Sequence, residues 1–171
     1  RHASVVVLLQ TPMGGDDVPV PSIDDDEDGV ALGLLEIDLV FAFGQSLSRV
    51  FRGLEQMNDW WAIRLHPEAR TVLEPHPGGH WKQLWSSGGV WFGTVTQVDI
   101  PERLRIRGPL LMAGLVDNIL DLWLEEAPGG GTLLHVHHQA LGALEDDAHE
   151  TYEQIWSDMF GHALGDFLAS R

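Results

Sequence analysis

Hydrophobic and polar positions change period along this chain, and the change divides it into elements. From Leu34 to Phe43, Ile37, Leu39, Phe41 and Phe43 alternate against Glu36, Asp38, Val40 and Ala42, which predicts a strand with one face buried. Gly44 ends it. Ser46 is placed to cap a short helix over 47–54, with Leu47, Val50, Phe51 and Leu54 as its apolar stripe. A second short helix is expected over 56–63, including Trp60 and Trp61. Period two then returns. Strands are predicted at Arg70–Glu74, His80–Trp85, Val90–Ile100, Arg103–Arg107, Asn118–Glu126 and Thr132–Leu141, parted by turn residues such as Pro75 to Gly79 and Pro128 to Gly131. Tight turns force antiparallel pairing. A hairpin centred on Gly129 sets Trp123 opposite His135 and Asp121 opposite His137. Gly108–Val116 (GPLLMAGLV) is apolar and aperiodic, a loop that covers something or is covered.

The last element is the strongest. Between Asp147 and Ala169, Tyr152, Ile155, Trp156, Met159, Phe160, Ala163, Leu164, Phe167 and Leu168 recur at helical spacing. They form one apolar stripe on a helix of roughly six turns. Asp147 and Glu150 have the spacing of a capping box. Gly161 and Gly165, one turn apart, invite close backbone approach to a neighbour. The expected fold class is α+β: a curved antiparallel sheet of about six to seven strands wrapped on a long C-terminal helix.

Composition narrows the partners. The chain has 171 residues, a natural length for one domain, with 26 acidic against 10 basic residues and a formal charge of −16. That excess disfavours nucleic acid, which needs clustered cations. No apolar run approaches the roughly 18 residues of a membrane span. There are no cysteines, so disulfides and thiolate chemistry are excluded. Residues 1–33 carry Pro12, Gly14, Gly15, Pro19 and Pro21, which break regular elements, and the acidic run Asp24–Asp28, the pattern of a flexible acidic extension to a domain over 34–171. Ser4–Leu9 (SVVVLL) behind Arg1 has the apolarity of a signal remnant but not its length or cleavage site, so a strand or tail is expected and the compartment is expected to be cytoplasmic. Asp24, Asp26, Asp28 and Gly29 open like a calcium loop, but the twelfth position is Leu35 rather than Glu.

Several strings resemble the SRPBCC superfamily, also called START-like or helix-grip. Within it the closest likeness is to the activator of heat-shock-protein-90 ATPase homologue family. They are RVFRGL at 49–54, DWW at 59–61, PGGHW at 77–81, GTVTQVDIPERLRI at 93–106, GGTLLHVHHQAL at 130–141 and TYEQIWSDM at 151–159. The segment between RVFRGL and DWW is shorter than the family pattern, and the Gly108–Val116 loop is longer and more apolar. The resemblance implies a helix-grip fold with a deep cavity between concave sheet and long helix, used by relatives to bind lipids, hormones or polyketides.

Candidate site residues follow from placing the chain in that fold. Trp81, Gln83 and Trp85 share a strand face, and with Trp60, Trp61 and Trp156 they are expected to line the cavity, where indole rings suit apolar ligands and each N–H can fix one polar atom. In HVHH at 135–138, Leu134, Val136 and His138 point to the helix, and His135 and His137 point to solvent. His138 is a polar anchor or a core histidine bonded to a neighbour; a His135/His137 metal pair lacks a full ligand set, so no metal and no cofactor are expected. Arg103, Arg105 and Arg107 share a face and are expected to pair with acids. The leading expectation is a non-catalytic module binding a small hydrophobic molecule. The alternatives are a cyclase- or dehydratase-like enzyme using His138, and a chaperone-cofactor-like interaction module, as a homodimer or with a protein partner through Gly108–Val116.

Overall fold

The computed structural model describes residues 31–170. The acidic run, the calcium-loop opening and the signal-remnant reading fall outside the described residues. The elements are β1 (Gly33–Phe43), α1 (Leu47–Glu55), α2 (Met57–Trp60), β2 (Arg70–Leu73), β3 (His80–Trp85), β4 (Gly88–Asp99), β5 (Arg103–Gly108), β6 (Val116–Glu126), β7 (Thr132–Gly142), and a C-terminal helix made of α3 (Ala148–Trp156), a π-helical stretch (Ser157–Ala163) and α4 (Leu164–Ala169). No helix among the described residues is long and apolar enough to cross a membrane.

The seven strands form one antiparallel sheet in the order β1-β7-β6-β5-β4-β3-β2. Neighbours are joined by hairpins except where β1 reaches β7, so the first and last strands close the middle of the chain between them. The β6–β7 register sets Asp121 opposite His137 and Trp123 opposite His135, as the turn at Gly129 requires. Alternation along each strand then sorts the faces. Leu120, Leu122, Leu124, Leu134, Val136 and His138 are buried on the inner face. On the outer face, Arg103 and Arg105 both bond the Asp121 carboxylate, and Arg107 bonds Asp117. Such cross-strand opposite charges stabilise a solvated face modestly.

Two irregularities in β4 break simple alternation. The register against β3 shifts between Trp81 and Lys82, and that against β5 shifts between Val95 and Gln97. The first shift leaves Phe92 as the extra residue, and its ring turns inward against Trp81 at 5.1 Å between centroids.

The C-terminal helix lies across the inner face, and every residue of its predicted stripe is buried or half-buried. Gly161 is the point of closest approach: a Cβ there would meet the Phe41 ring at 2.7 Å, whereas at Gly165 the contact would be an ordinary 3.6 Å. On the other side α1 abuts α4, where a Cβ on Gly53 would come within 3.1 Å of both Leu164 and Leu168. The caps differ from expectation. Neither Ser46 nor Asp147 donates or accepts a side-chain capping bond; their backbone carbonyls take the first helical N–H groups instead. The second helix is shorter than expected because the chain turns extended at Trp61.

Gly108 is where β5 leaves the sheet toward the loop before β6. A Cβ there would sit 2.5 Å from Gly93 Cα and 2.6 Å from the Phe92 carbonyl oxygen, both backbone atoms that cannot swing aside. Gly108→Ala is therefore expected to destabilise the fold by about 1–3 kcal/mol. Gly44→Ala, with nothing within 4 Å of its Cβ, is expected to stay near neutral. Urea unfolding of the two variants checks this, and equal midpoints would refute the close approach.

Candidate functional site

The space between sheet and helix is filled by aromatic rings. Phe92 packs on Trp81, Trp81 on Trp61 at 5.0 Å, Trp61 on Trp60 at 5.8 Å, and Phe160 touches Trp60, Trp61 and Trp156 at 5.7–6.2 Å. Most of these pairs are edge-to-face or tilted, the arrangement that ring quadrupoles favour. Four of the expected site residues, Trp60, Trp61, Trp81 and Trp156, are thus brought together in one cluster, each with at most 6% of its surface exposed. Trp85 is apart from them, at the far end of β3, stacked on His66 at 5.1 Å.

The remaining two expected site residues are polar and wholly buried, and both are engaged by the protein. Gln83 donates to the Ile63 carbonyl at 2.5 Å and to Thr71 Oγ1 at 3.0 Å, and accepts from the Leu65 N–H at 3.0 Å. It fixes the loop after α2 to the sheet. His138 sits in a chain. The Trp156 indole N–H donates to its Nδ1 at 3.0 Å, so the ring proton is on Nε2, which donates to Asn118 Oδ1 at 2.9 Å. Asn118 in turn donates from Nδ2 to the Pro109 carbonyl at 3.2 Å. One line of bonds therefore ties the C-terminal helix, β7, β6 and the β5–β6 loop. Burial, with a smaller contribution from neighbouring His137, pushes the His138 imidazole down to about 4.

Two adjoining hollows open at one end of this packed interior. One of about 520 Å³ lies between Ile63 and Leu65, Val90 to Phe92, the β5–β6 loop, and Tyr152 and Ile155 of α3. The other, about 140 Å³, continues past Leu111, Met112 and Tyr152 toward Glu145 and Asp147. The larger falls in the size range of small-molecule sites. None of the seven sequence-derived residues lines either hollow. Phe92 is the floor that joins the larger hollow to Trp81, and Tyr152 joins both hollows to His138 and Trp156, at 5.5 and 6.0 Å between rings. Burial pushes the Tyr152 phenol up to about 12, so it stays protonated and can donate.

The rims of the hollows are held by the buried polar pair. Gln83 holds Ile63 and Leu65, and the His138–Asn118 chain holds Pro109. The β5–β6 loop carries backbone strain as well: Leu110 and Leu111 have φ of 45° and 74°, a region β-carbon-bearing residues rarely occupy. Leu110 is fully buried while Leu115 is 83% exposed, so this loop both covers the core and presents an apolar tip.

Asn118, Tyr152, Leu111 and Met112 were not singled out by sequence reasoning. Asn118 had a signal: it lies on the same strand face as Leu120, Leu122 and Leu124, a polar residue in an apolar row. Tyr152 stood in the helical stripe as one core position among nine. Three buried atoms without a hydrogen-bond partner among the described residues also emerge only in three dimensions, Arg49 Nη1 being one. The indole nitrogens of Trp61 and Trp81 are buried with no hydrogen-bond partner.

Comparison with solved structures places this geometry. A protein of unknown function, SA2116, from Staphylococcus aureus superposes with a TM-score of 0.66 at 12% identity over 83% of this chain and 98% of that one. An uncharacterized protein from Rhizobium leguminosarum gives 0.64 at 16% identity over 82% and 98%. Ara h 8.0201 gives 0.59 at 16% identity over 81% of this chain and the whole of that one, 100%. The chain has a helix-grip fold. No family model and no curated protein matches its sequence.

The His138 geometry makes a measurable statement. The ring is neutral in both folded and unfolded chains above pH 6.5. Between 6.5 and about 4 the unfolded chain takes up a proton that the folded one refuses, so acid removes stability over that window, by about 3 kcal/mol in all. Nitrogen-15 NMR of the imidazoles is expected to show His138 as the Nε2–H tautomer and unprotonated down to about pH 4. A resonance titrating near 6.5 would contradict the buried chain.

Proposed function

We propose that the protein is a non-catalytic helix-grip module of the SRPBCC superfamily that binds a small, largely apolar molecule at the hollows beside α3. The observation that carries this reading is the apolar hollow of about 520 Å³ walled by Phe92, Leu111, Met112, Tyr152 and Ile155, with the buried, unpartnered indole N–H groups of Trp61 and Trp81 in the ring cluster behind Phe92. An orphaned buried donor costs about 1–3 kcal/mol, a cost that a ligand acceptor relieves. The ligand enters over Tyr152, rests its apolar body on Leu111, Met112 and Ile155, and turns the Phe92 ring aside to bring one acceptor atom to the indole edge behind it. Trp60 and Trp156 form the rigid backing of the site. Gln83 and His138 serve by holding its rims, and Trp85 closes the far end of β3.

The same side chains argue against acid–base work. Both nitrogens of His138 are engaged, and its low pKa leaves it neutral at physiological pH with its one proton committed to Asn118. Within the superfamily, support for a place near the activator of heat-shock-protein-90 ATPase homologue family comes from the strings at 49–54, 93–106 and 151–159. A second reading, a protein-interaction module, is favoured by one specific observation. Leu32, Trp91, Leu115 and Leu141 are each about half or more exposed around a groove of about 600 Å³. The domain proper is taken to begin at residue 34, with the acidic segment before it as an appendage.

Native mass spectrometry of the protein as purified is expected to show an added small molecule. Titration followed by tryptophan fluorescence is expected to rank a carbonyl- or ether-bearing apolar ligand about 5- to 10-fold tighter than a hydrocarbon of the same size, the worth of one hydrogen bond. Trp81→Phe and Trp61→Phe, which delete the orphan N–H groups, should each shrink that preference. No binding across the panel, or equal affinity for the matched pair in the wild type, would overturn the assignment.

A further inference from the structure

The outer face of the sheet carries a cluster that the hollows do not use. Because β1 pairs with β7, Asp38 lies directly opposite His137, and Glu36 is the next residue of β1 on the same face. Asp38 Oδ1 is 2.6 Å from His137 Nδ1, and Glu36 Oε1 is 3.8 Å from His137 Nε2. One ligand atom from each of the three lies within 4.8 Å of the others, the one such three-residue group among the described residues. The ligand atoms come from the paired backbones of the edge strand β1 and its neighbour β7, which fixes their spacing more tightly than a loop would.

The surroundings leave this cluster negative. The nearest arginines are already committed: Arg103 and Arg105 to Asp121, and Arg107 to Asp117. Among the described residues no Lys or Arg forms an ion pair with Glu36 or Asp38, in a chain whose formal charge is −16. Outside the three, Gln139 donates from Nε2 to Glu36 Oε1 at 3.3 Å, a contact of the kind that orients a metal-bound carboxylate. His137 keeps only 22% of its side chain exposed, so its ring is laid against the sheet and not free to swing into solvent.

We propose that Glu36, Asp38 and His137 form a surface site for a first-row divalent transition ion, zinc being the type. An imidazole selects such ions over magnesium and calcium, which prefer all-oxygen sets. Two carboxylates balance the charge of the ion. Three protein ligands leave one or more positions for water or an outside group. Ligand atoms about 2.0–2.2 Å from zinc stand roughly 3.3–3.6 Å apart in a tetrahedral set, so Asp38 would draw back from its 2.6 Å contact with Nδ1 and Glu36, now nearer Nε2, would turn to the same ring nitrogen within the 4.8 Å group. The ion would take the place of the present contact between His137 and Asp38. The site lies on the face opposite the hollows and does not depend on what they bind.

The test uses the full chain, stripped with a chelator and titrated at neutral pH with zinc by calorimetry and with cobalt by visible absorption. The expected result is one-to-one saturable binding of both ions, with ligand-field bands for cobalt. His137→Ala should weaken zinc at least 10-fold, and Asp38→Asn several-fold, with circular dichroism and the affinity for cleft ligands unchanged. Zinc binding that survives His137→Ala at full strength would overturn the proposal, because the ion would then sit elsewhere. Absence of saturable binding below millimolar zinc would overturn it equally.

Discussion

The structure depends on a buried line of hydrogen bonds that contains no charge. Trp156 donates to His138, His138 to Asn118, and Asn118 to the Pro109 carbonyl. Each bond adds only about 0.5–1.5 kcal/mol net, but a break in the line strands a fully desolvated group at about 1–3 kcal/mol. The line therefore acts less as a source of stability than as a condition on geometry. The helix has one rotation, β7 one register, and the loop before β6 one height above the sheet, at which all four groups are satisfied. Burial excludes the protonated imidazole, so the condition holds wherever the ring stays neutral.

Around that line the interior trades volume for definition. A curved sheet can enclose a large cavity, and here four of the seven tryptophans decide otherwise. The rings of Trp60, Trp61, Trp81 and Trp156, with Phe92 and Phe160, occupy the space between sheet and helix and push the remaining free volume out to the loops. What is left is a hollow with a rigid aromatic back wall and adjustable rims. Gln83 on one side and Asn118 on the other are tethers for those rims, and the strained pair Leu110 and Leu111 forms the part of the wall under most conformational tension.

Much of this was legible in the chain. Alternation in β6 and β7 and a glycine-rich turn fixed which histidines face inward and which face water, down to the Asp121–His137 and Trp123–His135 pairs. The helical stripe from Tyr152 to Leu168 is buried or half-buried throughout. The glycine inference held at Gly161, where the Phe41 ring crowds it, and not at Gly165, where contact is ordinary. Three things were not legible, each for a physical reason. The irregularity that turns Phe92 inward adds a residue to β4, and an added residue leaves no periodic trace in so short a strand. The partners of Gln83 and His138 come from a loop and a helix that tertiary packing brings in. The facing of Asp38 and His137 joins residues 99 apart, through a pairing that no local turn dictates.

The π-helical stretch Ser157–Ala163 divides the C-terminal helix by task. Residues before it line the hollows; residues after it lock against α1. A π turn carries one residue more than an α turn of the same span, so it shifts the angular phase of everything on one side relative to the other. The lining half of this helix is thereby phased independently of the anchoring half. A lineage of such proteins could re-aim the wall of its hollows by gaining or losing a single residue within that stretch, while the grip of α4 on α1 stays as it was.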